Sequence, residues 1–283
     1  MVSASLKVLE PVAYKLTPEC LQRYLDGTQS TSPFYSDESP FGYPVAPAAI
    51  LFYMPMRVEG WRDPNDTRPI FNSRVEWSFH KPVRPGTTLT LAARQSDRWL
   101  KRGRDFMTIE LLALDEQGAS VCRGLTTVTW PADPQHTPAD LPVRDGEPSG
   151  PPAGTATGPE LGTLTRQLTF EMSEAIAGPA RNFHTDREMA RTRGFADVVI
   201  AGPHFVCLAS ELLTDVFGRQ WFESGELKLT YLKPVIAGER ITVKAVERER
   251  QSSAGDTRVI ADLWCENEAG EKTAVGSASA LLE

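Results

Sequence analysis

Only four histidines occur in these 283 residues: His80, His136, His184 and His204. His184 sits in RNFHTD, residues 181–186, ahead of the apolar run GPHFVCLASELLTDVFG at 202–218. Imidazole is the side chain that exchanges a proton near neutral pH, so its placement here invites a proton-transfer role. The bland alternative is a capping or core histidine held by backbone carbonyls. Asp186, followed by Glu188, reads as the N-cap of the short helix TDREMARTR before it reads as a catalytic acid. Arg181 offers a planar fork that suits a ligand carboxylate or, equally, a surface acid. His204, near the start of the apolar run, either faces the same pocket or is a first-turn residue without a role.

The elements that must position these groups follow from periodicity. Phe205, Leu208, Ala209, Leu212, Leu213 and Val216 recur at helical spacing, which predicts a long helix with one apolar stripe. Gly218 is placed to stop it, and Glu211 and Asp215 fall off the stripe. Strands are expected in GELKLTYLKPV, ERITVKAVERERQ, TRVIADLWCENEAG and KTAVGSASALL, where apolar and polar residues alternate. Asn267 to Gly270 and Asp115 to Gly118 read as hairpin turns. A helix on an antiparallel sheet is an α+β arrangement.

The same pattern occurs twice. SFHKPVRPGTTLTL from Ser78 and TYLKPVIAGERITV from Thr230 are 152 residues apart. That offset also pairs Gly42 with Gly194, Gly86 with Gly238, Gly103 with Gly255 and Gly118 with Gly270. Residues 1–130 are therefore expected to form one copy and residues 163–283 the other. Between them, the Pro/Gly-rich stretch 131–162 cannot bury enough apolar surface to make a core and reads as a linker. Two such sheets can join edge to edge and so cover an exposed edge. In the first copy, FGYPVAPAAILFYMPM at 41–56 is expected to build the corresponding helix and to line an acyl tunnel. LKRGRD at 100–105 concentrates cations at a hairpin tip, a weak anion signal.

Composition narrows the classes of function. With 41% apolar and 24% charged residues the chain has the make-up of a soluble globular protein. A net charge of −7 makes nucleic acid a poor partner, since neutralising phosphates takes a basic face. No run reaches the roughly 18 apolar residues of a membrane span, and no secretory signal is read at the N-terminus. Cys20, Cys122, Cys207 and Cys265 form no CxxC pair, which speaks against zinc or a disulfide framework and fits the reducing cytoplasm. The expectation is a cytoplasmic, small-molecule protein without cofactor or metal, a monomer or homodimer.

YLKPVIAGERITV and FHKPVRPGTTLTL resemble the F-x-x-P-V-x-x-G-D-x-L-T strand-turn-strand of MaoC-like dehydratases. IAGPARNFHTDREMARTRGFADVVIAGP is similar to their hydratase motif, usually S-G-D-x-N-P-I-H-x-D followed by a G-F segment and a small-residue helix start. The resemblance implies a double hotdog, two copies of a long helix wrapped by a curled antiparallel sheet. It also implies hydration of a 2-enoyl thioester, or dehydration of a 3-hydroxyacyl thioester, carried by coenzyme A or an acyl carrier protein. His184 maps onto the motif histidine, and Gly202 onto the helix start whose N–H polarises the thioester carbonyl. Pro179 or Ala180 stands where the family has its aspartate, so Asn182 is the expected partner of His184. Arg181, His204 and Tyr35 are expected to bind substrate; Tyr35, in SPFYSD at 32–37, takes the place of His184 in the first copy. Isomerisation, thioester binding without turnover, and thioester hydrolysis are the alternatives.

Overall fold

The computed structural model describes residues 6–52, 58, 60–63, 65–146, 154–155, 157–253 and 255–282. The first half contains β1 (Val12–Lys15), α1 (Pro18–Thr28), β2 (Phe71–Phe79), β3 (Thr88–Lys101), β4 (Arg104–Leu114) and β5 (Ser120–Pro131). The second contains β6 (Glu160–Gln167), α2 (Phe170–Ala177), α3 (Arg187–Thr192), α4 (Gly202–Phe217) and α5 (Arg219–Ser224). It ends with β7 (Glu226–Tyr231), β8 (Arg240–Ser253), β9 (Asp256–Asn267) and β10 (Lys272–Leu281). All ten strands join one sheet in the order β1-β3-β4-β5-β2-β7-β10-β9-β8-β6. Exchanging the two halves leaves that order unchanged.

The offset of 152 runs through the backbone. Strands β3 and β8 coincide under it at both ends, and Thr17 and Thr169 cap α1 and α2 with the same side-chain bond. The bulge between Gln95 and Asp97 in β3 recurs between Glu247 and Glu249 in β8. All four turn-glycine pairs named above have positive φ, a backbone state in which a Cβ is strained, which is why they stay in register while other residues drift. Strands β2 and β7 pair antiparallel at the junction, with Glu76 opposite Lys228, themselves 152 apart and ion-paired at 3.1 Å. The approximate two-fold axis passes through this pair.

Helix α4 packs against β6, β8 and β10 and is buried on nearly all sides, its polar Ser210 and Thr214 included. Thr214 Oγ donates to the Ser210 carbonyl at 2.8 Å, and Trp221 Nε1 donates to Ser210 Oγ at 2.9 Å. Gly218 ends the helix with φ of 57°. The first half gives no such helix among the described residues. Where one is expected over 41–56, Ala48–Leu51 forms a 3-10 turn, and residues 53–56 lie outside the described residues. Pro44, Pro47 and Pro55 bracket this segment too closely for an uninterrupted long helix.

The segment after β5 runs back along the first half. The Leu100 N–H donates to the Pro142 carbonyl at 2.9 Å, and the Arg102 N–H donates to Asp145 Oδ1. The basic hairpin tip at 100–105 is thus stitched to residues 142–145 and buries Asp105 against Arg98. Among the described residues no helix is long and apolar enough to cross a membrane.

Candidate active site

His184 is fixed from four directions. Its N–H donates to Asn182 Oδ1 at 2.7 Å, and its carbonyl accepts from Ser173 Oγ of α2 at 2.9 Å. Its ring lies 4.0 Å, centroid to centroid, from that of Phe183. Its Nδ1 lies 2.6 Å from the Val199 carbonyl, which can only accept, so Nδ1 carries the proton. In the neutral ring Nε2 is then a lone-pair acceptor; it makes no hydrogen bond among the described residues, and His184 lines both cavities. Burial pushes the imidazole pKa down to about 4, with Arg193 adding repulsion and the Val199 carbonyl opposing both. At neutral pH His184 is a base that holds no charge.

Two adjoining cavities meet at this ring, one of about 500 Å³ and one of about 220 Å³. Both are lined by His184, Phe183, Ile70 and Asn72, so both halves of the chain build the site. Gly202, the first residue of α4, lines the smaller cavity. Its N–H has no acceptor inside the helix, and Pro203 brings no N–H at all, so the positive end of α4 is presented through Gly202. A Cβ at this position would lie 2.7 Å from Asn72 Nδ2, so the Asn72 side chain would have to shift to admit it. Gly202→Ala should displace the Asn72 amide and lower kcat/KM about tenfold or more, with little loss of thermal stability; steady-state kinetics beside a melting curve checks this.

Several expected residues lie elsewhere or act differently. The Asn182 side chain is committed to its own loop, accepting from the His184 N–H and donating to the Ala180 carbonyl at 2.9 Å. Both ends of the amide are thus engaged in positioning the His184 loop. Arg181 is 65% exposed and held by Asp186 and Glu188, so its charge is neutralised by protein acids. Asp186 caps α3 by accepting from the Met189 N–H at 2.8 Å. Tyr35 is buried and points at α4, its hydroxyl donating to Glu211 Oε1 at 2.7 Å. Phe34 beside it stacks on Phe222 at 5.3 Å, and the cavity there shrinks to about 20 Å³. Among the described residues, only one of the two symmetry-related positions is therefore open.

His204 also departs from expectation. It is 0% exposed, lines neither cavity, lies beside the Gly27 backbone, and among the described residues neither ring nitrogen has a well-formed hydrogen bond. Burial lowers its pKa from 6.5 to about 4. The unfolded chain therefore takes up this proton first. Stability falls as pH drops below about 6.5 and levels off below about 4, by roughly 3 kcal/mol for this one group. His204→Met should recover that part in melts compared at pH 7 and pH 4.5.

Asn72 is the site residue that sequence reasoning missed. Its amide makes no hydrogen bond among the described residues and lies against Gly202 from a β-bulge in β2. Nothing in FNSRVEW marks such a position, because a bulge depends on the partner strand. Glu211 was read as off the stripe, yet it is 6% exposed and accepts from Tyr24, Tyr35 and Ser30. Held by those three hydroxyls and lining neither cavity, it is not placed to act on a ligand there. Among the described residues no carboxylate lines either cavity, and no cluster of side chains is arranged to hold a metal ion.

Comparison with known proteins agrees with this architecture. Residues 5–123 match the FAS1-like dehydratase domain region. A UPF0336 protein from Streptomyces avermitilis is 34% identical over 114 residues, covering 38% of this chain and 75% of that protein. A solved MaoC-like dehydratase superposes with a TM-score of 0.73 at 17% identity, covering 98% of this chain and 97% of the other. The chain belongs to the MaoC-like hotdog dehydratase family. The sequence match to the dehydratase region falls in the first half, whereas His184 lies in the second. A conserved hypothetical protein from Mycobacterium tuberculosis, described as a double hotdog fold, superposes with a TM-score of 0.62 at 12% identity. That superposition covers 99% of this chain and 96% of the other. The family's large antiparallel sheet with few helices is the architecture found here.

Proposed function

We propose that the protein adds water to, or removes it from, the α,β-bond of an acyl thioester, with His184 as the acid–base group. The observation that carries this reading is the Nδ1 bond to Val199, which leaves Nε2 as the acceptor nitrogen of a ring that lines the same cavity as Gly202. In the hydration direction Nε2 takes a proton from water as the water oxygen bonds to the β-carbon. The electron pair of the double bond moves toward the thioester oxygen, where the Gly202 N–H and the α4 dipole meet the developing charge. The enolate then takes the proton from Nε2 at its α-carbon, and His184 returns to its starting state. One group moves one proton twice, so the step balances without the carboxylate usual in the family. The unengaged Asn72 amide is a second polar group for the carbonyl or the water.

The test follows the enoyl absorbance of crotonyl-coenzyme A while a thiol reagent reports free coenzyme A. Loss of the enoyl band without thiol release is expected. Thiol release would replace this reading with hydrolysis. Tight binding with no change in either signal would leave a non-catalytic acyl-thioester-binding partner.

A further inference from the structure

The protein carries a net charge of −7, yet the larger cavity is lined by three arginines, Arg68, Arg181 and Arg193, and by no carboxylate among the described residues. Two of these charges are already answered. Arg68 grips Asp66 through Nε and Nη2 at 2.9 and 2.7 Å and donates to the Pro131 carbonyl. Arg181 is paired with Asp186 and Glu188. Arg193 has no acid partner among the described residues. It caps the C-terminus of α3, and its guanidinium rests 4.7 Å from the centre of the Phe183 ring. That same ring lies against His184, tilted by 41°, so this cation stands one aromatic ring away from the imidazole. Its field is felt there, since it disfavours protonation of His184.

A second observation in the same cavity points to a polar ligand. Thr126 of β5 is 1% exposed, lines the cavity wall, and its hydroxyl has no hydrogen-bond partner among the described residues. A buried hydroxyl left without a partner costs stability, whereas an oxyanion in the cavity would accept from it. A wall meant only for an alkyl chain has no use for it.

Resting on the reading of this site as an acyl-thioester site, we propose that Arg193 is a specificity residue that grips a carboxylate on the acyl chain. The preferred substrates are then monothioesters of dicarboxylic acids. A carrier phosphate is the other source of an anion. Its place at the far end of the pantetheine arm sets it well away from a guanidinium this close to the imidazole.

Binding of two saturated thioesters that cannot be hydrated separates the possibilities: glutaryl-coenzyme A, and valeryl-coenzyme A, which differs chiefly in lacking the carboxylate. By calorimetry the wild type should bind the glutaryl thioester about tenfold to a hundredfold more tightly, as a charge-assisted fork would give. Arg193→Gln should abolish the preference and leave valeryl binding within about twofold. Arg193→Lys should keep part of it, since charge survives without the fork. Arg181→Gln should leave it in place. Equal affinities in the wild type, a preference that survives Arg193→Gln, or one removed by Arg181→Gln instead would overturn the assignment. Equal weakening of both thioesters in Arg193→Gln would overturn it too, placing the anion on the carrier arm. Binding of neither thioester would defeat the thioester reading itself; valeryl binding without preference would leave that reading intact.

Discussion

His184→Ala should lower kcat for crotonyl-coenzyme A hydration by about a thousandfold while changing thermal stability little. General acid–base catalysis contributes on the order of 10²–10⁴, and the proposed reaction assigns this ring both halves of the proton cycle. Among the described residues no cavity-lining carboxylate is present to take over. The pH profile supplies a second reading of the same claim. With the folded pKa held at about 4 by burial, Nε2 stays an acceptor across the neutral range. The acid limb of kcat/KM should therefore fall near 4, below the ordinary value of 6.5. In Arg193→Gln the repulsion is removed, so the limb should move up in pH. Turnover unchanged in His184→Ala would remove this residue from the chemistry altogether.

The largest effect on stability is expected at Glu211. Its carboxyl accepts from Tyr24 at 2.8 Å, from Tyr35 at 2.7 Å and from Ser30, joining α4 of the second half to α1 and the Pro33–Tyr35 turn of the first. Glu211→Ala leaves three hydroxyls without an acceptor and opens a void, at about 5 kcal/mol in total. Glu211→Gln keeps an acceptor oxygen and should lose about 1–2 kcal/mol. Burial raises the folded pKa of Glu211 above 4.5. The unfolded chain thus ionises first, and stability is lost as pH rises from 4.5 through the folded value. The Gln variant should be flatter over that range. Chemical denaturation of the three proteins would settle the order, and equal stability of Ala and Gln variants would refute the brace.

These two residues show different degrees of legibility. The position of His184 near a helix start was readable because both the loop RNFHTD and the helix are local features. Its tautomer was not, since Val199 lies fifteen residues away and reaches the ring only through the folded loop. Glu211 was misread for a related reason. Helical periodicity separates apolar from polar faces but does not register that a polar face can be buried when a second element brings hydroxyls to it. Tyr35 and His204 were assigned to the pocket by analogy with the other copy and by nearness in sequence, and neither lines it.

What the sequence determined by itself is the duplicated framework. Turn glycines, capping threonines and strand alternation act within a few residues, so their repetition at 152 is written into the chain and reappears in matching strands, bulges and caps. Tertiary structure alone decided which of the two equivalent positions stays open. Phe34, Phe41 and Phe222 fill one, while Asn72, Arg193 and Thr126 gather around the other from three separate segments. Packing between distant residues sets the volume and charge of a cavity, and no local pattern encodes it.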